Sequence, residues 1–217
     1  MFMMSILDED IAVRQIQCFF LVIIVFLCVR SVQASDGAVQ IYSQDELIEL
    51  INENKHLKRV RDDDCQLLQD IEARATIMKL PSYQFLYGDM LAYGVCVKKN
   101  VVRGVYLMKE AAAQGLPAGL EQLGRYYHTG KLVQKDLKRA IMYLREAAFL
   151  GNLPARVRLA EIYVAGHGSP REYEAVYRWL FHTVTDDKKL HAKIRRLLES
   201  LAQNMPPSVV ARARKGV

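Results

Sequence analysis

The middle of the chain repeats itself every 36 residues, and no other feature limits the fold so strongly. Gly88, Gly124 and Ala160 stand 36 positions apart, as do Gly94, Gly130 and Gly166. Ala111-Ala112 recur as Ala147-Ala148, Gly115 recurs as Gly151, and Leu107-Met108 correspond to Tyr143-Leu144 and Trp179-Leu180. Agreement at many independent positions with one interval is the signature of stacked helical units, each burying its apolar side only against its neighbours. A chain of 217 residues that is 51% hydrophobic can bury such a core, which excludes global disorder.

Each unit reads as two helices. The first runs from Pro81 to about Tyr93, where Gly94 stops it, and the second from about Val101 to Gln114. In the next unit Pro117 opens a helix carrying Leu120, Leu123, Tyr126 and Tyr127, since proline loses nothing at a first-turn position. Gly130 breaks that helix, and Asp136 caps the one carrying Leu137, Ile141 and Leu144. The third unit runs from Pro154 to Val164 and from about Glu172 to Phe181. The small residues Gly88, Gly124, Ala160, Ala111, Ala112, Ala147 and Ala148 permit close helix approach, while Gly94, Gly115, Gly130, Gly151 and Gly166 mark helix ends. These are scaffold positions rather than a catalytic centre.

The flanks do not repeat. Ser43 with Glu46 forms a capping-box pattern before Leu47, Leu50 and Ile51, and a second helix is expected from near Cys65 to Leu80 through Leu68, Ile71, Ala75 and Met78. The charged stretch 52–64 between them is expected to be exposed, and the leader to cover one end of the array. Asp186-Asp187 begin a final helix with Leu190, Ile194, Leu197, Leu198 and Leu201 on one side. Pro206-Pro207 end it, leaving 208–217 as a short basic tail.

Residues 18–29, CFFLVIIVFLCV, are an uncharged apolar run of 12. Spanning a bilayer takes roughly 20 such residues, so the run suits a secretory signal, with Arg14 before it and Val32-Gln33-Ala34 as a cleavage site. A retained anchor and a buried helix are the alternatives. Cleavage after Ala34 leaves Cys65 and Cys96 as the two cysteines, neither within a CxxC motif. A structural disulfide fits an oxidising compartment, and two separately buried thiols are the alternative. Cys65 begins a predicted helix and Cys96 follows one, so an antiparallel return brings them together.

The pattern Gly94-x-Cys96-Val97, Ala111-Ala112-x-x-Gly115, Leu123-Gly124-x-x-Tyr127-x-x-Gly130, continued by Val133, Asp136, Ala147-Ala148 and Gly151, resembles the Sel1-like repeat, a relative of the tetratricopeptide repeats. Ser169-Pro170 departs from it after Gly166-x-Gly168. The resemblance implies an all-α fold, a short right-handed solenoid used in protein binding. Through DDDCQLLQDIEARATIMKLPSYQFLYGDMLAYGVCVKKN and MYLREAAFLGNLPARVRLAEIYVAGHGSPREYEAVYRWL the chain also resembles a family of sodium-driven flagellar motor proteins. That resemblance implies a periplasmic place in the outer ring of the bacterial flagellum basal body, near the outer membrane. The implied partners are a MotY-like ring protein and the B subunit of a sodium-driven stator, whose membrane proteins carry the ion pathway.

No chemistry of an enzyme is visible in the motifs. His56, His128, His167, His182 and His191 are scattered, and there is no HExxH, no Gly-x-Ser-x-Gly elbow and no phosphate-binding glycine loop. Asp62-Asp63-Asp64 suits helix approach and capping better than a metal cage. The expectation is a non-enzymatic protein with no catalytic residue, metal site or cofactor. An exported scaffold or regulator of an envelope enzyme, and an exported hydrolase, are the alternatives. Loss of residues 1–34 removes two arginines and three acidic groups, raising the formal net charge from +6 to about +7. Eight basic residues face three acidic ones from Asp186 to Val217, and Lys188, Lys189 and Lys193 are the candidate partner contacts. Nucleic acid is not an expected partner, because the chain reads as exported.

The organisation expected is a signal peptide (1–34), a nonrepeating leader and cap (35–80), repeats at 81–116, 117–152 and, divergent, 153–185, and a carboxy-terminal helix with its basic tail (186–217). Amino-terminal sequencing of protein recovered from native expression should give a start near Ser35. Cytoplasmic recovery with reduced cysteines would defeat the export reading.

Overall fold

The computed structural model describes residues 41–215. The signal peptide expected over 1–34 lies outside them. Among the described residues there are eleven α-helices, one short 3-10 turn and no strand. Three leader helices come first: α1 (Gln44–Asn52), α2 (His56–Asp62) and α3 (Leu68–Thr76). The paired helices follow as α4 (Pro81–Tyr93) with α5 (Val101–Ala113), and α6 (Pro117–Thr129) with α7 (Leu137–Phe149). The third pair is α8 (Leu153–Val164) with α9 (Tyr173–Phe181), and α10 (Lys188–Gln203) and α11 (Pro207–Arg214) close the chain.

The pairs are built alike. A proline stands in the first turn of α4, α6 and α8, and Asn100 and Asp136 accept the Arg103 and Arg139 N–H groups at 3.0 Å to start α5 and α7. Gly94 and Gly130 end α4 and α6 with φ of 74° and 76°, a left-handed closure that a Cβ would disfavour. Ala111, Ala112, Ala147, Ala148 and Ala160 are all buried at the helix contacts. In the third unit the departure at Ser169-Pro170 is real: a 3-10 turn (Pro170–Glu172) replaces the capped start. Glu172 there is held by Tyr163 and Arg145, and the Tyr173 hydroxyl donates to the Tyr163 carbonyl at 3.1 Å.

α4 is the hub. Every residue from Ser82 to Ala92 is buried, so this helix has no solvent face, unlike the one-sided α7. α5 and the three leader helices pack against it, and Tyr126 of α6 reaches Asp89 and Tyr93 near its end. Gly104 of α5 sets the closest approach. A Cβ placed there would lie 2.5 Å from the Gly88 carbonyl oxygen and 2.8 Å from the Ala92 nitrogen. One repeat later Ala140 stands at this position, so the second pair admits a methyl where the first cannot.

The leader differs from the sequence expectation in three ways. Residues 52–64 are not a plain exposed link, since α2 forms within them and buries His56 and Val60 while Lys58 and Asp62 face solvent. The following helix is shorter than Cys65 to Leu80. Cys65 has φ of 61° and cannot join a right-handed helix, and Leu80 is extended because it precedes Pro81. Met78 therefore lies beyond α3 and is exposed rather than in the core. Finally, the leader does more than cap an end, because α1 and α2 both lie along α4 and α1 reaches α6.

The expected basic tail also folds. Pro207 opens α11, which buries Val210 and Ala213 and packs on α9. Arg212 Nε meets Glu174 Oε1 at 2.8 Å, which pushes the Glu174 carboxyl down to about 2 through that hydrogen bond. Arg214 Nε donates to the Tyr177 hydroxyl at 2.9 Å. α10 starts where expected, with Asp187 accepting from the Lys189 and Leu190 N–H groups, and seats Ile194 and Leu201 against α8 and α9.

Two substitutions separate packing from propensity. Gly→Ala in a helix interior ordinarily gains about 1 kcal/mol. At Gly104 the clash is with backbone, so Gly104→Ala should instead cost about 2 kcal/mol or more in denaturant unfolding. Leu144→Ala empties a fully buried site beside Gly124 and should cost about 2–5 kcal/mol.

Candidate functional site

Covalent and polar ties hold the leader and the first two pairs in a rigid frame. Cys65, in the link between α2 and α3, is bonded to Cys96, in the loop between α4 and α5, with Cα atoms 5.7 Å apart. Cys96 has φ of 61°, as does Leu132 one repeat later, so the cysteine occupies a backbone shape the repeat already provides. The bond fastens the leader to the first pair.

A second tie runs through the core. His56 Nε2 lies 2.7 Å from Asp89 Oδ2, and the two side chains are 4% and 2% exposed. The imidazole also meets the Phe85 ring edge-on at 5.6 Å. Tyr126 is within 3.3 Å of Asp89 Oδ1, and its hydroxyl is 2.7 Å from that of Tyr93 and 2.5 Å from Gln122 Nε2. Burial first, then the Asp89 charge, pushes the Tyr126 hydroxyl well above its ordinary value, so it stays protonated and able to donate. Leader, first pair and second pair thus share one hydrogen-bonded cluster. A histidine and carboxylate sealed from solvent cannot reach a substrate, so this pair fastens helices.

A third tie fixes the start of the described chain. The Tyr42 hydroxyl donates to Asp63 Oδ2 at 2.5 Å and Arg59 Nε donates to the same oxygen at 2.9 Å, which holds the Asp63 carboxyl below the usual range. The Asp63 side chain therefore ties Tyr42 and Arg59 together rather than capping a helix, the role expected of Asp62-Asp63-Asp64. Among the described residues no group of three or more His, Cys, Asp or Glu is placed to hold a metal ion.

The three candidate contact lysines have different surroundings. Lys188 and Lys189 are exposed in the first turn of α10, the positive end of a helix, where cations do not favour folding. Lys193 Nζ is 2.5 Å from Glu161 Oε1 on α8, so it helps seat α10. Sequence reasoning missed an apolar surface on the second helices of the pairs. Val102 is 83% exposed and Phe149 71%, with Tyr106 and Met142 about half exposed. Met142, Phe149 and Trp179 line a shallow groove between α7 and α9. Their spacing on α7 was visible, but which helix face the neighbours would cover was not.

Comparison with known proteins fits this architecture. The Sel1 repeat model matches residues 81–116, 117–152 and 153–180. Among solved structures the chain is similar to a Sel1 repeat protein from Oxalobacter formigenes, with 23% identity, 68% of this chain and 97% of that one covered, and a TM-score of 0.45. It is also similar to c5321, a protective antigen of uropathogenic Escherichia coli strains with an SLR fold, with 22% identity, 79% and 40% of the two chains covered, and a TM-score of 0.47. The fold is that of an all-α Sel1-repeat solenoid with nonrepeating terminal helices. A far closer likeness runs along nearly the whole chain. It is 54% identical over 203 residues, 93% of this chain and 96% of the other, to the sodium-type polar flagellar protein MotX of Vibrio parahaemolyticus. The chain belongs to the MotX family.

The disulfide closes a segment of 31 positions, for which chain-entropy reasoning gives about 3–4 kcal/mol. Cys65→Ala or Cys96→Ala should lower unfolding free energy by that order, and the double variant should be little worse than either single one. Equal additive losses would show that the two residues act separately.

Proposed function

We propose that this protein is a non-enzymatic component of the sodium-driven flagellar motor. It acts in the periplasm, in the outer ring of the basal body near the outer membrane, and helps assemble or retain stator complexes around the rotor. The observation that carries the reading is the 54% identity to a sodium-type polar flagellar protein across nearly the full length of both chains. A likeness of that extent includes the leader and the terminal helices, not only the repeats that unrelated scaffolds share.

The physical properties of the fold support this role. A solenoid stiffened by a disulfide and a buried polar cluster presents a fixed surface, which lowers the ordering cost of association. A disulfide persists in an oxidising compartment, which supports the periplasm. No helix among the described residues is long and apolar enough to cross a membrane. The partners proposed are a MotY-like ring protein and the stator B subunit. Lys188 and Lys189 are the contacts proposed from the carboxy-terminal helix, with Lys193 set aside for its ion pair to Glu161.

Deleting the gene should leave assembled flagella that do not rotate, with stators absent or sparse around the basal body when a fluorescent stator subunit is imaged. Normal swimming with normal stator occupancy would reject the proposal.

A further inference from the structure

A cavity of about 160 Å³ opens where the end of α1 meets the first turns of α6 and α8. Its wall carries two guanidiniums, Arg125 and Arg158, but one carboxylate, Glu121, between them. Glu121 Oε1 is 3.4 Å from Arg158 Nε and 3.8 Å from Arg125 Nε. These are looser than the 2.7–2.9 Å pairs at Asp63, Asp70 and Glu174, and each arginine is only 27% exposed. Gln122 Oε1 also accepts from Arg125 Nη2, but it carries no charge, so two guanidiniums that are three-quarters out of water face one carboxylate and the site keeps an excess of positive charge.

Asn152 on the same wall adds a donor. Asn152 uses its Oδ1 to cap α8 through the Ala155 N–H at 2.9 Å, so its amide NH₂ is what it offers the cavity. The cavity lies at the amino-terminal ends of two long helices, with Ala118 from α6 and Asn152 and Pro154 from α8 in its lining. Helix dipoles there favour an anion, adding to the two arginines. Nearby His128 feels the same field, since burial and then Arg158 and Lys135 push its imidazole below the ordinary value.

We infer that this cavity is a binding site for a carboxylate carried on a partner polypeptide. Arginine forks match a planar carboxylate with paired hydrogen bonds. The volume exceeds the roughly 30 Å³ share of one water several-fold, so it accommodates an acid group with part of the chain that bears it. Asn52, at the end of α1, lies on the same wall as Asn152 and suits the amide groups of such a chain. Three elements build the site, one from the leader and two from the repeats, so it exists only while the leader is docked. The inference rests on the cavity and not on the motor reading, which names no residue here.

The test is a side-chain NMR titration of the oxidised protein with four probes. A short end-blocked peptide with one central aspartate and an unblocked alanine peptide separate side-chain from terminal carboxylates. The end-blocked asparagine analogue and inorganic phosphate are the controls. At least one carboxylate peptide should shift the Arg125 and Arg158 Nε–H signals, and the asparagine analogue should not. Arg158→Gln should weaken that peptide about tenfold or more, as loss of a charge-assisted hydrogen bond does. Glu121→Gln removes the competing carboxylate and should tighten binding, a gain that damage to the fold would not produce. Thermal melts confirm folding of both variants. Equal response to the asparagine analogue, response to phosphate alone, or affinities unmoved by both substitutions would overturn the site.

Discussion

The enclosure of α4 is the constraint on which the rest of the described structure depends. A helix buried from Ser82 to Ala92 must be met on every side, and each neighbour meets it by a different means. α5 comes close because Gly88 and Gly104 carry no Cβ at the crossing. The leader is held by the Cys65–Cys96 bond outside and by His56 on Asp89 inside. A carboxylate buried in a largely apolar helix is costly unless it is paired, and His56 at 2.7 Å is the nearer of its two partners, so docking of α2 stabilises Asp89. α4 is consequently a core helix, whereas α7 keeps the exposed side that a solenoid helix normally shows.

That asymmetry decides which surface is left for partners. On the leader side α1, α2 and α3 cover α4, and the cavity walled by Arg125 and Arg158 opens where α1 ends. On the far side α5 and α7 expose Val102, Tyr106, Met142 and Phe149, more apolar surface than a helix facing water alone requires. Much of the basic charge at the carboxy terminus serves the fold: Arg212 and Arg214 hold α11 on α9, and Lys193 holds α10 on α8. Lys188 and Lys189 are left exposed. Net charge alone therefore overstates how much of the positive end is available to an anionic partner.

The repeat itself was legible because its rules are local and recur. Helix starts at Pro81 and Pro117, stops at Gly94 and Gly130, and the Asp136 cap each follow from the conformational freedom or hydrogen-bonding capacity of one residue. The disulfide was legible from two cysteines at the ends of antiparallel segments. Gly104 was not, because its counterpart 36 positions on is Ala140 and the repeat gives no signal there. His56 and Asp89 were not either: one sat in a charged stretch that looked like a link, and the other is 33 positions away. An acidic residue inside a largely apolar helix was the clue available, and it named no partner.

The sequence by itself determined the class of fold, the period and the helix ends within the repeats, and it offered one candidate cysteine pair, since periodicity, backbone preference and chain direction act over short distances. Tertiary structure alone decided that the charged leader folds back on α4, that the basic tail becomes a docked helix, and that Arg125 and Arg158 face one carboxylate across a cavity. The physical reason is common to all three. A charged side chain costs little in water wherever it sits, so its position along the chain carries almost no information. Its role is set by which opposite charge, ring or amide the packing of distant helices brings within hydrogen-bond reach.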